Sequence, residues 1–366
     1  MRIKRGFRLI FTKMDKWFSQ HLLNWYKKNK RDLPWRNQTD PYKIWLSEII
    51  LQQTQVIQGT SYYLKFIEKY PSVINLANAS EDEVLKLWQG LGYYSRARNL
   101  HSTAKEIVLT FNSKFPKDYS SIRGLKGIGD YTAAAICSFS FNLPCAVLDG
   151  NVFRFLSRLF GIETPIDTNQ GKKEFQLLAN ELLDKKNPGQ HNQAIMEFGS
   201  QFCKVHQPNC HNCIFNEKCQ AFKTNSVNRL PVKIKKTKTK NRYFNYVVFI
   251  DKNNNVLLNK RSENDIWKGL YEFYLWESDK EISIQELIKQ DSIEEIAGQK
   301  FNLLYVSKGY KHVLSHQILY SKFFVIKISS GFKKTINHKP VVNLKNYAFP
   351  RLIEKFLDDC NLMELV

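Results

Sequence analysis

The stretch Leu125-Lys126-Gly127-Ile128-Gly129-Asp130-Tyr131-Thr132-Ala133-Ala134-Ala135 decides how the first half of this chain is read. Two glycines flank one apolar residue, and a helix-forming run starts at about Asp130. Glycine lets the backbone turn closely. The free N–H groups at the following helix start can hold a phosphate. Ile128 is placed to plug the apolar gap between two helices. Outward from this turn, apolar residues recur at helical spacing over 15–30, 41–58, 61–69, 81–88, 95–111, 151–160, 171–185 and 191–202. Turn signals such as Tyr70-Pro71, Phe115-Pro116 and Asn187-Pro188-Gly189 separate them. The pattern predicts an all-α region over 15–222, preceded by a flexible tail at 1–14. Past residue 242 the period changes. Tyr246–Ile250 and Val256–Leu258 read as a hairpin, Ile318–Ile328 as a further strand, and 283–298 and 350–359 as helices. Residues 243–366 are therefore expected to form an α+β domain.

The chain has 366 residues, 43% hydrophobic and 13% aromatic, which excludes the disordered and low-complexity classes. No apolar run reaches the roughly 18 residues of a membrane span, so no membrane partner is expected. The expectation is a cytoplasmic monomer. Lys plus Arg number 55 against 34 Asp plus Glu, a net charge of +21 that points to a polyanion. The excess is uneven. Residues 223–242 hold eight basic residues and no acid, 243–366 are net +2, and 1–222 carry +11. The segment 223–242 reads as an exposed basic linker. A glycine pair alone is a weak phosphate signal, and the charge of the helical region strengthens it.

Four of seven cysteines, Cys203, Cys210, Cys213 and Cys219, follow the spacing C-x₆-C-x₂-C-x₅-C. An odd total without a secretory signal argues against a disulfide framework. Zinc usually takes two C-x₂₋₄-C pairs, and only one is present. A single short loop wrapping an iron–sulfur cluster fits better, with zinc still open and His206 and His211 as rival ligands. Two carboxylates sit in contrasting settings. Glu48 is the one charge in Ile44-Trp45-Leu46-Ser47-Glu48-Ile49-Ile50-Leu51, where poor solvation raises the pKa and keeps a proton for a general acid. A Glu on one wet helix face is the competing reading. Asp149, in Leu148-Asp149-Gly150-Asn151-Val152, precedes a helix whose N–H groups favour its ionised form; a plain cap is the competing reading. If both face one cleft, a proton donor and an anion suit cleavage of a glycosidic bond through a cationic sugar.

The glycine hairpin, then Asp149, then the cysteine spacing resemble the endonuclease III superfamily of DNA glycosylases, and within it the MutY family. The resemblance covers roughly residues 15–360. Its strongest stretches are Leu33-Pro34-Trp35-Arg36, Pro41 to Glu48, Leu51-Gln52-Gln53-Thr54-Gln55-Val56, Gly90 to Leu100 and Leu148 to Val152. It implies an all-α helix-hairpin-helix glycosylase region with one 4Fe–4S cluster in a loop at 203–219, followed by a Nudix-like domain. It also implies a base excision repair enzyme that removes adenine mispaired with 8-oxoguanine or guanine in double-stranded DNA. By the same resemblance, Glu48 protonates the base and Asp149 stabilises the cationic sugar, with Tyr131 and Asn151 in support. Arg31, Trp35 and Gln193 would line the adenine pocket, Gln53 and Tyr93 would wedge into the duplex, and Gly127 and Gly129 would grip a phosphate.

Relatives that cleave the strand carry a lysine at position 131, which forms a Schiff base. Tyr131 cannot, so a monofunctional enzyme is expected. The alternatives are an endonuclease III-like glycosylase and lyase acting on oxidised pyrimidines, and a DNA-binding protein without catalysis. In the C-terminal domain, Trp267 to Phe273 match the Nudix-like segment, while the acidic metal motif of true Nudix hydrolases is missing. Binding without hydrolysis is expected there. Ser315 and His316 match the family's hairpin for recognising 8-oxoguanine. Leu314 stands where the family has Phe, leaving a smaller wedge.

Overall fold

The computed structural model describes residues 5–234, 239–262, 265–297, 301–332 and 337–365, so Lys235, Lys236 and Lys238 of the expected linker lie outside the described residues. In chain order the helices are α1 (Arg5–Asn29), α2 (Pro41–Leu51), α3 (Val56–Lys69), α4 (Val73–Asn78), α5 (Glu81–Trp88), α6 (Ser95–Thr110), α7 (Tyr119–Gly124), α8 (Asp130–Phe141), α9 (Gly150–Phe160), α10 (Asn169–Leu182), α11 (Pro188–Gln201) and α12 (Gln220–Lys223). Then come β1 (Lys240–Ile250), β2 (Asn255–Leu257), β3 (Asn259–Lys260), β4 (Tyr271–Glu272), β5 (Tyr274–Ser278), α13 (Ile284–Leu287), α14 (Asp291–Ala297), β6 (Phe301–Val306), β7 (Tyr310–Val313), β8 (Gln317–Ile328), β9 (His338–Pro340) and α15 (Arg351–Asp359). The chain divides into two compact units: residues 1–78 with 102–235, and residues 79–101 with 236–366. No described helix is long and apolar enough to cross a membrane.

The regular elements of the first unit are all helices among its described residues. Its core joins Phe18, Leu22 and Tyr26 of α1, Phe155 and Leu159 of α9, Phe175 of α10 and Phe198 of α11. Beside it, α2 is capped by Asp40, whose side chain accepts from the Tyr42 N–H at 2.9 Å, with Pro41 at the first turn. Eight residues of α2, Glu48 among them, are buried, so this helix has almost no wet side. The helix expected over 41–58 is interrupted after Leu51. Gln53 turns the chain at φ 55°, and α3 then comes back against α2. A Cβ on Gly59 would lie 2.8 Å from the end of the Leu51 side chain, which would have to shift to admit it.

Two further boundaries differ from the sequence reading. The first helix begins at Arg5 instead of 15, so the segment expected as a flexible tail is helical from there. The basic segment 223–242 is not an exposed linker through its first half. Leu230 is 3% exposed, its carbonyl and that of Val227 accept from Arg158, and the Ile166 N–H donates to Val232 O.

The second unit carries a seven-stranded sheet in the order β6-β8-β1-β2-β9, with β5 also on β1 and β7 also on β8. Its spine is a parallel pairing of β1 with β8, from Lys240↔Gln317 to Ile250↔Lys327. Side chains alternate between faces. Phe244, Tyr246, Val248 and Ile250 meet Leu352, Ile353 and Phe356 of α15. Val247 and Phe249 pack with Leu287, Ile293 and Ala297 of α13 and α14. Burial on both sides explains the unbroken apolar run at 246–250. The hairpin predicted there forms, with Ile250 opposite Val256 and Asp251 Oδ1 accepting from the N–H groups of Asn253 and Asn255. The helix expected over 283–298 is two short helices, each with its own start.

Residues 79–101, read from sequence as part of the helical region, group with this second unit. The reason is a set of polar contacts far apart in sequence. Asp82 pairs with Lys260 and accepts from Tyr271 Oη. Lys86 donates to Tyr347 O at 2.9 Å. Gln89 bonds Glu354, and Arg98 donates to Lys268 O. Gly269, at φ +84°, comes close enough that a Cβ would lie 3.0 Å from Leu85.

The rings of Phe323 and Phe356 stack with centroids 4.1 Å apart. Phe356→Ala is expected to destabilise the second unit by about 3–5 kcal/mol, measured as a lower urea midpoint for the sheet's transition.

Candidate active site

Four helices and the α1–α2 connection build a cavity of about 200 Å³ in the first unit. Helix α2 supplies Glu48, α8 supplies Tyr131, the start of α9 supplies Asp149 and Asn151, and α11 supplies Gln193. Arg31 and Trp35 come from the connection between α1 and α2, and all seven line the same cavity.

Glu48 is 6% exposed, so the wet-face reading does not hold. Tyr131 Oη donates to Glu48 Oε2 at 2.5 Å. Burial lifts the Glu48 carboxyl to about 7; the Tyr131 hydrogen bond opposes that rise and the charge of Asp149 adds to it. Burial likewise raises Tyr131, which stays a donor. Asp149 caps α9, its Oδ1 accepting from the Val152 N–H at 2.7 Å, while Oδ2 accepts from Asn151 Nδ2 at 2.8 Å. Both competing readings of this residue are therefore met at once, cap and cavity wall. Its pKa moves against the expectation from capping alone. Burial raises it, and the hydrogen bonds from Val152 and Asn151 offset only part of that rise. With more donors than Glu48, Asp149 is still the better holder of negative charge.

Asn151 is itself fixed. Arg154 Nη2 donates to Asn151 Oδ1 at 2.9 Å and to Gly199 O at 2.7 Å. At Gly199 helix α11 passes so close that a Cβ would sit 2.8 Å from Asn151 O and 2.9 Å from its Cβ.

Sequence reading missed Arg36 and Glu197, which also line the cavity. Glu197 accepts from Arg31 Nε at 2.7 Å and from Arg36 Nη2 at 2.5 Å. Burial pushes its carboxyl up, but the two guanidinium groups outweigh burial and bring it to about 2. The available signal was the same as for Glu48: a lone charge in Ala194-Ile195-Met196-Glu197-Phe198.

The remaining candidates lie elsewhere. Gly127, at φ 77°, and Gly129, the cap of α8, form the turn between α7 and α8, with Ile128 buried beneath. Gln53 stands in the turn after α2. In the second unit, Ser315 and His316 are exposed at the β7–β8 turn, and Ser315 Oγ is 2.6 Å from Tyr93 Oη. Leu314 does not project as a wedge. It packs against the unit's own core, and Val313 is the exposed apolar residue there, at 65%.

Cys203, Cys210, Cys213 and Cys219 line one small cavity with Phe155 and Phe198. Among the described residues no three His, Cys, Asp or Glu side chains are grouped to hold a single metal ion. Arg158 donates to Cys203 Sγ at 3.5 Å and to Lys204 O at 2.6 Å. By donor chemistry, four cysteines lining one apolar space, with Arg158 donating to one of them, are a set that a thiolate-bound polynuclear cluster would take. His206 and His211 are exposed, and neither lines that cavity.

Residues 46–183 match the family described as HhH-GPD superfamily base excision DNA repair protein, and residues 245–359 match the NUDIX domain. The adenine DNA glycosylase of Buchnera aphidicola subsp. Baizongia pistaciae is 36% identical over 83% of this chain and 84% of its own length. That of Arabidopsis thaliana is 37% identical over 69% of this chain and 46% of its own. A solved thermostable thymine-DNA glycosylase superposes with a TM-score of 0.55 at 28% identity, covering 58% of this chain and 98% of its own.

Two outcomes follow from this geometry. In the folded chain Glu48 holds its proton up to about pH 7, against an ordinary value of 4.5. Stability is therefore lost as pH rises between these values, on the order of 3 kcal/mol. Glu48→Gln should remove that loss, so the substituted chain gains on the native one at pH 8 but not at pH 4, as measured by urea denaturation. Gly199→Ala should push Asn151 away from Asp149 and lower single-turnover base release at least tenfold, with the melting midpoint reporting any wider damage.

Proposed function

Because the chain belongs to the adenine DNA glycosylase family, and is thus a base excision repair glycosylase acting on adenine, we propose that its substrate is adenine mispaired with 8-oxoguanine or guanine in double-stranded DNA. The observation that carries the chemistry is the shared cavity of Glu48 and Asp149, one carboxyl lifted to about 7 and the other held by Val152 and Asn151.

The adenine nucleotide is flipped out of the duplex into this cavity. Glu48 gives its proton to the five-membered ring of the base. The N-glycosidic bond breaks with its electron pair leaving on the neutralised base, and the sugar becomes cationic. The Asp149 carboxylate stabilises that cation. Water adds to the sugar and releases a proton, which restores Glu48, and an abasic site remains. Tyr131 and Asn151 keep the two carboxyls in place. Arg31, Trp35 and Gln193 hold the base. With a phenol and no amine at position 131, no Schiff base forms and the strand stays intact.

Gln53 and Tyr93 would enter the duplex beside the lesion, and Gly127 and Gly129 would bind a backbone phosphate. Ser315 and His316 would contact the 8-oxoguanine. The hydrogen bond between Tyr93 and Ser315 supports this, since it joins a wedge residue to the recognition hairpin. Cys203, Cys210, Cys213 and Cys219 would hold a 4Fe–4S cluster, which stabilises the loop around it and supplies no step of base release.

Single-turnover assays on a duplex with adenine opposite 8-oxoguanine test this. Base release is expected, with strand cleavage only after hot alkali. Glu48→Gln should slow release about a hundredfold or more while lesion binding persists. Cleavage without alkali, or preference for an oxidised pyrimidine, would overturn the reading.

A further inference from the structure

Tyr26 lies on α1, outside the lining of the cavity, and is 2% exposed. Its Oη donates to Gln193 Oε1 at 2.9 Å. The Arg36 guanidinium carbon stands 5.5 Å from its ring centroid. Burial raises the phenol's pKa, so it remains a donor at every pH of interest. Nothing in the chemistry of base release needs this hydroxyl.

Its effect is on the orientation of an amide. A glutamine carboxamide has a carbonyl end that accepts and an amino end that donates, and rotation by half a turn exchanges them. A buried phenol that must donate pins the carbonyl end. Gln193 then offers the cavity the second lone pair of Oε1 and the N–H groups of Nε2, in a fixed order. Adenine presents a donor, its 6-amino group, beside an acceptor, N1. That matches the fixed order, as in the paired contacts glutamine makes to adenine elsewhere. Hypoxanthine, the deaminated base, presents an acceptor at position 6 beside an N1–H donor. It matches only the rotated amide.

We propose that Tyr26 is a positioning residue that locks the Gln193 amide and so makes the site discriminate adenine from hypoxanthine. The proposal rests on the reading that Gln193 faces the extruded base. Specificity of this kind arises from leaving the wrong ligand's polar groups unmatched.

Tyr26→Phe keeps the ring and the face beneath Arg36 and removes only the hydroxyl. Single-turnover release is compared for adenine and for hypoxanthine, each opposite 8-oxoguanine, in the native chain, in Tyr26→Phe and in Gln193→Leu. In Tyr26→Phe, adenine release should stay within about threefold of native while hypoxanthine release rises. The adenine-to-hypoxanthine ratio should fall about tenfold, the worth of one hydrogen bond. Gln193→Leu should compress the ratio as well. A ratio unchanged in Tyr26→Phe but compressed in Gln193→Leu overturns the lock and leaves the pocket reading standing. A ratio unchanged in Gln193→Leu means that this amide does not read the base, and both readings fall, whatever the state of Tyr26→Phe.

Discussion

The hydrogen bond from Tyr131 to Glu48 ties α8 to α2 at the point where a carboxyl has been taken out of water. An isolated carboxylate there would be expensive, and the group responds by keeping its proton to about pH 7. Everything else in the cavity is arranged around that protonated acid. The glycine hairpin sets the start of α8 and hence the reach of Tyr131. The cap of α9 brings Asp149 to the same space, so that two acids with unequal sets of donors share one small volume. The proposed chemistry uses this asymmetry: one group to give a proton and another to face a positive sugar.

Glu197 shows the opposite solution to the same problem. It too is a buried carboxyl, but two guanidinium groups donate to it, and it stays ionised down to about 2. Buried charge is tolerated when it is paired and hydrogen-bonded. The three acids of this cavity thus differ through their partners, not their residue type. The paired one fixes Arg31 and Arg36, and the less satisfied Glu48 keeps its proton to about 7.

Much of this was legible in the sequence, and the exceptions have physical causes. Glu48 stood out because a single charge interrupts an apolar helix, and the four cysteines because their spacing is short and regular. The hairpin at 246–258 followed from two apolar runs joined by a polar turn. The pairing of Arg36 with Glu197 was not legible, since it joins residues 161 positions apart and neither motif nor period records such a pair. The rise of Asp149 was missed because capping is a local rule while burial depends on three other helices. The break at Gln53 escaped notice because no glycine or proline marks it. The grouping of 79–101 with the second unit depends on Asp82, Lys86, Gln89 and Arg98, surface-type residues that carry no periodic signal.

That last feature bears on how the chain is made. Asp82 and Lys260 are 178 residues apart, and Gln89 and Glu354 are 265 apart. A ribosome releases 79–101 long before the sheet exists, and the sheet's own spine cannot close until β8 has followed β1 out of the exit tunnel. Distant, parallel pairings of this sort form slowly. The early segment therefore waits through most of synthesis for the partners of Asp82, Lys86, Gln89 and Arg98, with Val84, Leu85 and Trp88, all buried in the finished fold, still uncovered.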